Sequence, residues 1–213
     1  MPTTCVIFDI DGTLVDSGGF EDALYTAAVR DVFGDVRIRT DWGDYEHVTD
    51  AGIALQICKD NGLEIGNTAQ ELRTRFGERM STYLRAMGPC AAMPGAIAFW
   101  NKLRDRSDVQ VGIATGGWGH TARMKLESAG FVCTDVPLAS SDDGHARVAI
   151  MERCRALLSP TDSTAYIGDG EWDQVAAERL GWHFFGVGNR LRGKCSEWIA
   201  DFTSADLLDR MFA

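Results

Sequence analysis

The sequence predicts an α/β fold: a doubly wound parallel sheet, Rossmann-like in its core, with a smaller α-helical cap. Short apolar runs that end in polar clusters alternate with amphipathic helical segments through the C-terminal half. Earlier, a block of successive helical segments with no strand between them breaks that alternation. The length, 213 residues with 45% hydrophobic and 24% charged side chains, suits one buried core plus an accessory unit.

The first strand, Cys5 to Phe8, is β-prone and stops at Asp9, as a buried parallel strand does when it delivers a polar residue to its carboxyl edge. A loop rich in Asp, Gly and Ser follows. From Phe20 to Phe33 the apolar positions Leu24, Ala27, Ala28 and Val32 recur at helical spacing, and His47 to Asp60 and Thr68 to Met87 read similarly. Pro94 and Gly95 then punctuate the chain before a helix running through Leu103. Val109 to Ala114 is a second strand. Regular alternation follows: helix Gly119 to Ser128, strand Val136 to Ala139, helix Arg147 to Leu158, strand Thr164 to Ile167, helix Glu171 to Leu180, strand His183 to Val187. Ala205 to Phe212 closes the chain as an amphipathic helix. The expected organisation is therefore a core domain of residues 1–17 and 91–213, with a helical cap, residues 18–90, inserted between the first and second core strands.

Composition excludes several partners. With 31 acidic against 21 basic side chains the chain is net −10, which opposes binding to a nucleic-acid backbone. No apolar run approaches the ~18 to 20 residues that a spanning helix needs, and no basic segment followed by an apolar one opens the chain, so a cytoplasmic, membrane-free protein is expected. The six cysteines, Cys5, Cys58, Cys90, Cys133, Cys154 and Cys195, show no metal-knuckle or redox spacing and read as free thiols. Nothing in the sequence assigns an oligomeric state.

In open parallel sheets ligands bind beyond the carboxyl ends of the strands. Those ends carry Asp9-Ile10-Asp11-Gly12-Thr13, Thr115-Gly116-Gly117, and Gly168-Asp169-Gly170-Glu171-Trp172-Asp173, while the third strand leads through Ser140, Ser141, Asp142 and Asp143 toward Arg147. Asp9 and Asp11 can both face one site only where the backbone leaves regular strand, a turn that Gly12 permits. Carboxylates so crowded repel one another, and a divalent cation relieves them; hard oxygen donors favour Mg²⁺.

These motifs, DxDGT followed by Leu14, Val15 and Asp16, then Thr115-Gly116, then GDxxxD, resemble the haloacid dehalogenase superfamily over nearly the whole chain. The resemblance is to its phosphatase branch with a helical cap after the first motif, as in phosphoglycolate phosphatase and β-phosphoglucomutase. It implies an Mg²⁺-dependent phosphatase acting on a small phosphorylated metabolite. Asp9 is then the nucleophile that becomes an aspartyl-phosphate, and Asp11 is the general acid and base. The resemblance assigns Mg²⁺ to the Asp9 carboxylate, the Asp11 backbone carbonyl and Asp169, supported by Asp173, though Asp169 and Asp173 also fit helix-capping acids. Thr115 and the Gly116 amide bind a phosphoryl oxygen, or Thr115 simply caps a helix.

The third motif departs from the family, which most often places a Lys there. Residues Asp142 to Ile150 contain none and offer Arg147 at the expected helix start, so Arg147 is the candidate phosphate-binding cation, and an exposed helix-start arginine is the plain alternative. Lys125 ranks below it, lying about three turns beyond Thr115 and away from the strand edge. Tyr45, His47, Thr49 and Asp50 precede a cap helix, and the last three are candidate substrate contacts, though Thr49 or Asp50 serves equally as an N-cap. His120, His145 and His183 read as surface histidines, Trp118 and Trp172 as packing or mouth residues, and Asp142-Asp143-Gly144 as a turn. A phosphomutase of the β-phosphoglucomutase type is the alternative activity, and a non-catalytic regulatory module the alternative outside catalysis.

Overall fold

The computed structural model of the chain describes residues 3–17, 19–66, 68–204 and 206–212. Six parallel strands form the main sheet: β1 (Thr4–Phe8), β4 (Val109–Ala114), β5 (Leu138–Ala139), β6 (Ser163–Gly168), β7 (His183–Val187) and β8 (Trp198–Ile199). Their order is β5-β4-β1-β6-β7-β8. The connections run outward to one side through β4 and β5 and to the other through β6, so the order reverses at β1. Ligand crevices of open α/β sheets lie at such a switch point.

The sheet is apolar on both faces because helices cover both. Val6 and Phe8 pack with Ile113 and Ile167 against Phe99, Trp100 and Leu103 of α4 (Ala96–Arg104) and Ala122 and Leu126 of α5 (Gly119–Ser128). Cys5, Ile7 and Tyr166 face the other way, toward Ile150, Met151 and Cys154 of α6 (Arg147–Ala156) and Ala176 and Ala177 of α7 (Glu171–Leu180). The period of two along β1 thus sends alternate residues into two separate cores. All six cysteines are free and five are buried.

Between β1 and β4 the chain departs into α1 (Phe20–Phe33), α2 (Asp50–Asp60) and α3 (Thr68–Met87), which bury their own cluster of Tyr25, Val29, Ile53, Ile57, Phe76 and Met80. Trp118, just before α5, enters this cluster and stacks on Tyr25 with ring centroids 5.8 Å apart. The chain leaves and returns through a two-stranded antiparallel ribbon, β2 (Val15–Asp16) against β3 (Ala91–Ala92).

Several elements differ from expectation. The helix expected from His47 starts at Asp50, because Thr49 is extended and its Oγ1 accepts from the Gly52 amide at 3.1 Å. The strand expected at Val136 shrinks to Leu138–Ala139; Pro137 has no N–H to give the ladder, and the Val136 amide turns back to the Cys133 carbonyl. The helix expected to reach Leu158 ends at Ala156. β2, β3 and β8 are pairings of two residues each, too short to leave a period in the sequence. The closing helix α8 is Leu207–Phe212; its expected first residue, Ala205, lies outside the described residues, as does residue 18, where the helical insertion was expected to begin.

Candidate active site

Directly after β1, the Ile10 carbonyl accepts the amides of Thr13, Leu14 and Val15 at 3.1, 2.8 and 2.9 Å, folding the chain into a tight turn that carries Asp9 and Asp11. Gly12 makes the turn possible on two counts. Its φ is +74°, and a Cβ there would stand 2.4 Å from Asp169 Oδ2.

Asp9 is buried, and its amide donates to the Ile167 carbonyl of β6 at 2.9 Å. Arg147 opens α6 and sends its guanidinium across the strand ends: Nη1 lies 3.1 Å from Asp9 Oδ1 and Nε 3.4 Å from Asp173 Oδ1, while Nη2 donates to the Val48 carbonyl at 3.1 Å. Asp173 serves two ends. Its Oδ2 accepts from the Gly170 amide at 3.1 Å and so caps α7, while Oδ1 is buried without a hydrogen bond. Asp169 Oδ2 is 3.4 Å from Arg190 Nη1, and that guanidinium sits 5.2 Å above the Trp172 ring.

Oxygens of Asp9, Asp169 and Asp173 lie within 4.8 Å of one another. The electrostatics follow. Burial, then Asp173, pushes the Asp9 carboxyl up to about 7 in spite of Arg147; burial, then Asp9, pushes Asp169 up to about 7; burial pushes Asp173 up to about 6 against the pull of Arg147. Three closely spaced carboxyls that resist ionisation, two of them buried and one with an orphaned oxygen, fit a hard divalent cation such as Mg²⁺. Asp11 adds no carboxylate to this cluster, its Oδ2 being turned to Lys125 at 2.5 Å.

Thr115, directly after β4, is buried, its Oγ1 accepting from the Gly117 amide at 3.2 Å, which leaves the hydroxyl proton to donate. At Gly116 a Cβ would stand 2.7 Å from Arg147 Nη2 and 2.9 Å from the Val48 carbonyl, so only glycine lets this backbone approach. Asp9, Asp11, Thr115, Gly116, Arg147 and Asp169 all line one cavity of about 310 Å³, reached on its far side by α1 and α2.

The residues expected from the helical block divide. Asp50 lines the cavity, pushed up to about 7 by burial, and its Oδ2 accepts from the Trp118 amide at 2.8 Å. Thr49 also lines it, but its hydroxyl is spent twice, capping α2 and donating to the His145 carbonyl at 2.7 Å. His47 stands outside that lining. With the helix starting only at Asp50, His47 stays in the preceding loop, its ring 5.0 Å from that of His145. Asp142 accepts from the Gly119 amide at 3.1 Å and pairs with Arg73 of α3, a structural role. Trp172 lines the mouth, whereas Trp118 packs in the helical cluster.

Lys125, ranked below Arg147 because it lies away from the strand edge, nonetheless brings its ammonium to that edge, though not into the cavity lining. It is completely buried, with Nζ 2.5 Å from both Asp11 Oδ2 and Glu21 Oε1. Helical side chains tilt toward the helix N-terminus, and the long flexible stem carries the ammonium back toward the strand edge that its Cα lies away from. The signal was its place on the buried stripe of α5, one turn after Thr121 and Ala122 and next to Leu126, where a lone cation needs an acid. Glu21, in the first turn of α1, was not singled out from the sequence; burial, then Asp11, drives its carboxyl well above the usual range.

This sheet, with acids at the switch point and helices inserted after the first strand, defines a hydrolase of the haloacid dehalogenase type. The chain belongs to that family: the haloacid dehalogenase-like hydrolase profile matches residues 3–181. Among solved structures it is similar to β-phosphoglucomutase from Clostridium difficile, at 13% identity and a TM-score of 0.73 over 99% of this chain and 97% of the other. It is similar to CbbY from Rhodobacter sphaeroides in complex with phosphate, at 16% and 0.72 over 96% of each chain. A predicted phosphoglycolate phosphatase from Haemophilus somnus matches at 17% and 0.65 over 98% of each. No curated protein matches the sequence. Among the described residues no helix is long and apolar enough to cross a membrane.

Proposed function

We propose that the chain is an Mg²⁺-dependent phosphatase that hydrolyses a small phosphorylated metabolite through an aspartyl-phosphate on Asp9. The observation that carries this reading is the convergence of Asp9, Arg147, Thr115 and Asp169 on one cavity at the switch point of the sheet, with a buried Asp173 carboxylate oxygen within 4.8 Å of those of Asp9 and Asp169. Asp9, Asp169 and Asp173 would hold the metal, which when bound neutralises the carboxylates and the phosphoryl oxygens.

The Arg147 guanidinium and the Thr115 hydroxyl bind phosphoryl oxygens and set the phosphorus in line with Asp9. An Asp9 oxygen forms a bond to phosphorus as the bond to the leaving oxygen breaks, and Asp11 delivers a proton to that oxygen. In the second step Asp11, now ionised, takes a proton from water; the water oxygen attacks phosphorus, the bond to Asp9 breaks, and inorganic phosphate leaves. The inserted helices roof the cavity and exclude bulk water during the first step.

Asp9→Asn keeps the size of the side chain and removes its nucleophilic charge. Turnover of p-nitrophenyl phosphate in Mg²⁺ is expected to vanish while the thermal melt remains cooperative, and substantial residual turnover would remove Asp9 from this role. Phosphate release across a panel of phosphorylated metabolites defines the substrate; a sugar bisphosphate formed in place of free phosphate would mark a mutase.

A further inference from the structure

A completely buried ammonium persists only where carboxylates surround it. Lys125 has two, drawn from distant parts of the chain: Asp11 in the turn after β1 and Glu21 in the first turn of α1, each oxygen 2.5 Å from Nζ. Both acids line the cavity. The lysine occupies Oδ2 of Asp11, and the other oxygen, Oδ1, is buried with no hydrogen-bond partner. One oxygen is therefore clamped and one is left for a reacting group.

We propose that Lys125 and Glu21 are positioning residues for Asp11. The lysine fixes Oδ2, the glutamate fixes the lysine from the helical insertion, and Oδ1 is presented to the leaving oxygen of the substrate. The inference rests on the phosphatase reading, and neither residue touches the phosphoryl group. In the first step the Oδ1 proton passes to the leaving oxygen as its bond to phosphorus breaks, and the resulting Asp11 carboxylate stays paired with Lys125, which keeps its own protons throughout. Without the clamp the carboxyl rotates away from the leaving group, and only substrates that need that proton suffer.

The test compares two esters in Mg²⁺ with the full chain: an alkyl phosphate, whose alkoxide must be protonated to depart, and 2,4-dinitrophenyl phosphate, whose phenolate departs without a proton. The measured quantity is kcat/KM, which covers the steps up to loss of the leaving group. Glu21→Gln and Lys125→Met are each expected to lower it at least ~10-fold more for the alkyl ester than for the dinitrophenyl ester, the pattern shared by Asp11→Asn. Equal losses on both esters, no loss on either, or a rise in KM alone would overturn the assignment. Circular dichroism melts accompany each variant, and if Lys125→Met does not fold, the isosteric Glu21→Gln decides alone. Selective loss in Asp11→Asn without it in Glu21→Gln sinks this inference and spares the phosphatase reading; a wild-type chain inert toward both esters removes the two together.

Discussion

Arg147 is the cation that reaches both Asp9 and Asp173, and replacing it separates charge from shape. At an effective dielectric of about 20, unit charges 3.1 Å and 3.4 Å apart attract by about 5 kcal/mol each, so the guanidinium offsets about 10 kcal/mol of carboxylate burial in gross terms. Desolvation of the arginine cancels much of that, and removing one partner of a buried pair costs a net ~3–5 kcal/mol. Arg147→Met in chelator should therefore lose about 3–5 kcal/mol in urea unfolding, and less once Mg²⁺ occupies the acids. Its kcat/KM on a phosphate ester should fall by ~10²–10³, the usual effect of deleting one preorganised donor to a developing charge. Arg147→Lys restores a cation but not the planar reach to Asp9, Asp173 and the Val48 carbonyl together; it should stay within about tenfold of wild type. Wild-type activity in Arg147→Met would refute a role for the charge. Activity in Arg147→Lys as low as in Arg147→Met would show that the shape of the guanidinium governs the site.

Two further outcomes follow from the same acids and the turn that holds them. Asp9, Asp50 and Asp169, held up to about 7, and Asp173, at about 6, bind protons in the folded chain at pH values where the unfolded chain, near 3.8, has released them. Their stabilising contribution is complete below pH ~4 and is lost as pH rises through 7, so in chelator the melting temperature should be lower at pH 8 than at pH 5, and Mg²⁺ should restore it at pH 8; a flat or rising profile in chelator would contradict the burial argument. At Gly12, alanine meets both an unfavourable positive φ and the Asp169 carboxylate, so Gly12→Ala should abolish turnover and weaken Mg²⁺ binding by calorimetry, and unaltered binding would show that the turn tolerates a side chain.

Long, regular elements were readable because they span several periods. Val109–Ala114, Gly119–Ser128, Thr68–Met87 and Glu171–Leu180 occur where hydrophobic spacing places them. The acids at the strand ends were visible because a buried strand that stops at a charge announces its carboxyl edge. What could not be read was set by tertiary distance. β8 is two residues whose only reason is the neighbouring β7, and the start of α2 was decided by the Thr49 hydroxyl rather than by periodicity. Glu21 and Lys125 are 104 positions apart, and neither shows locally that the other exists. Asp173 fits its capping reading through one oxygen on the Gly170 amide, while the other lies 3.4 Å from Arg147 Nε, a partner 26 positions away that no local pattern announces.

The ribbon of β2 and β3 brings residues 16 and 91 side by side, so the whole excursion between them begins and ends at one spot on the sheet. Closing a loop whose ends already touch depends only weakly on how long the loop is. Evolution, or an engineer, can therefore lengthen, trim or transplant that excursion as a cassette without changing the register of the six parallel strands. The inserted helices and the acids at the strand ends become separately heritable, with one reservation written in the side chains: any replacement must bring its own acid to Lys125.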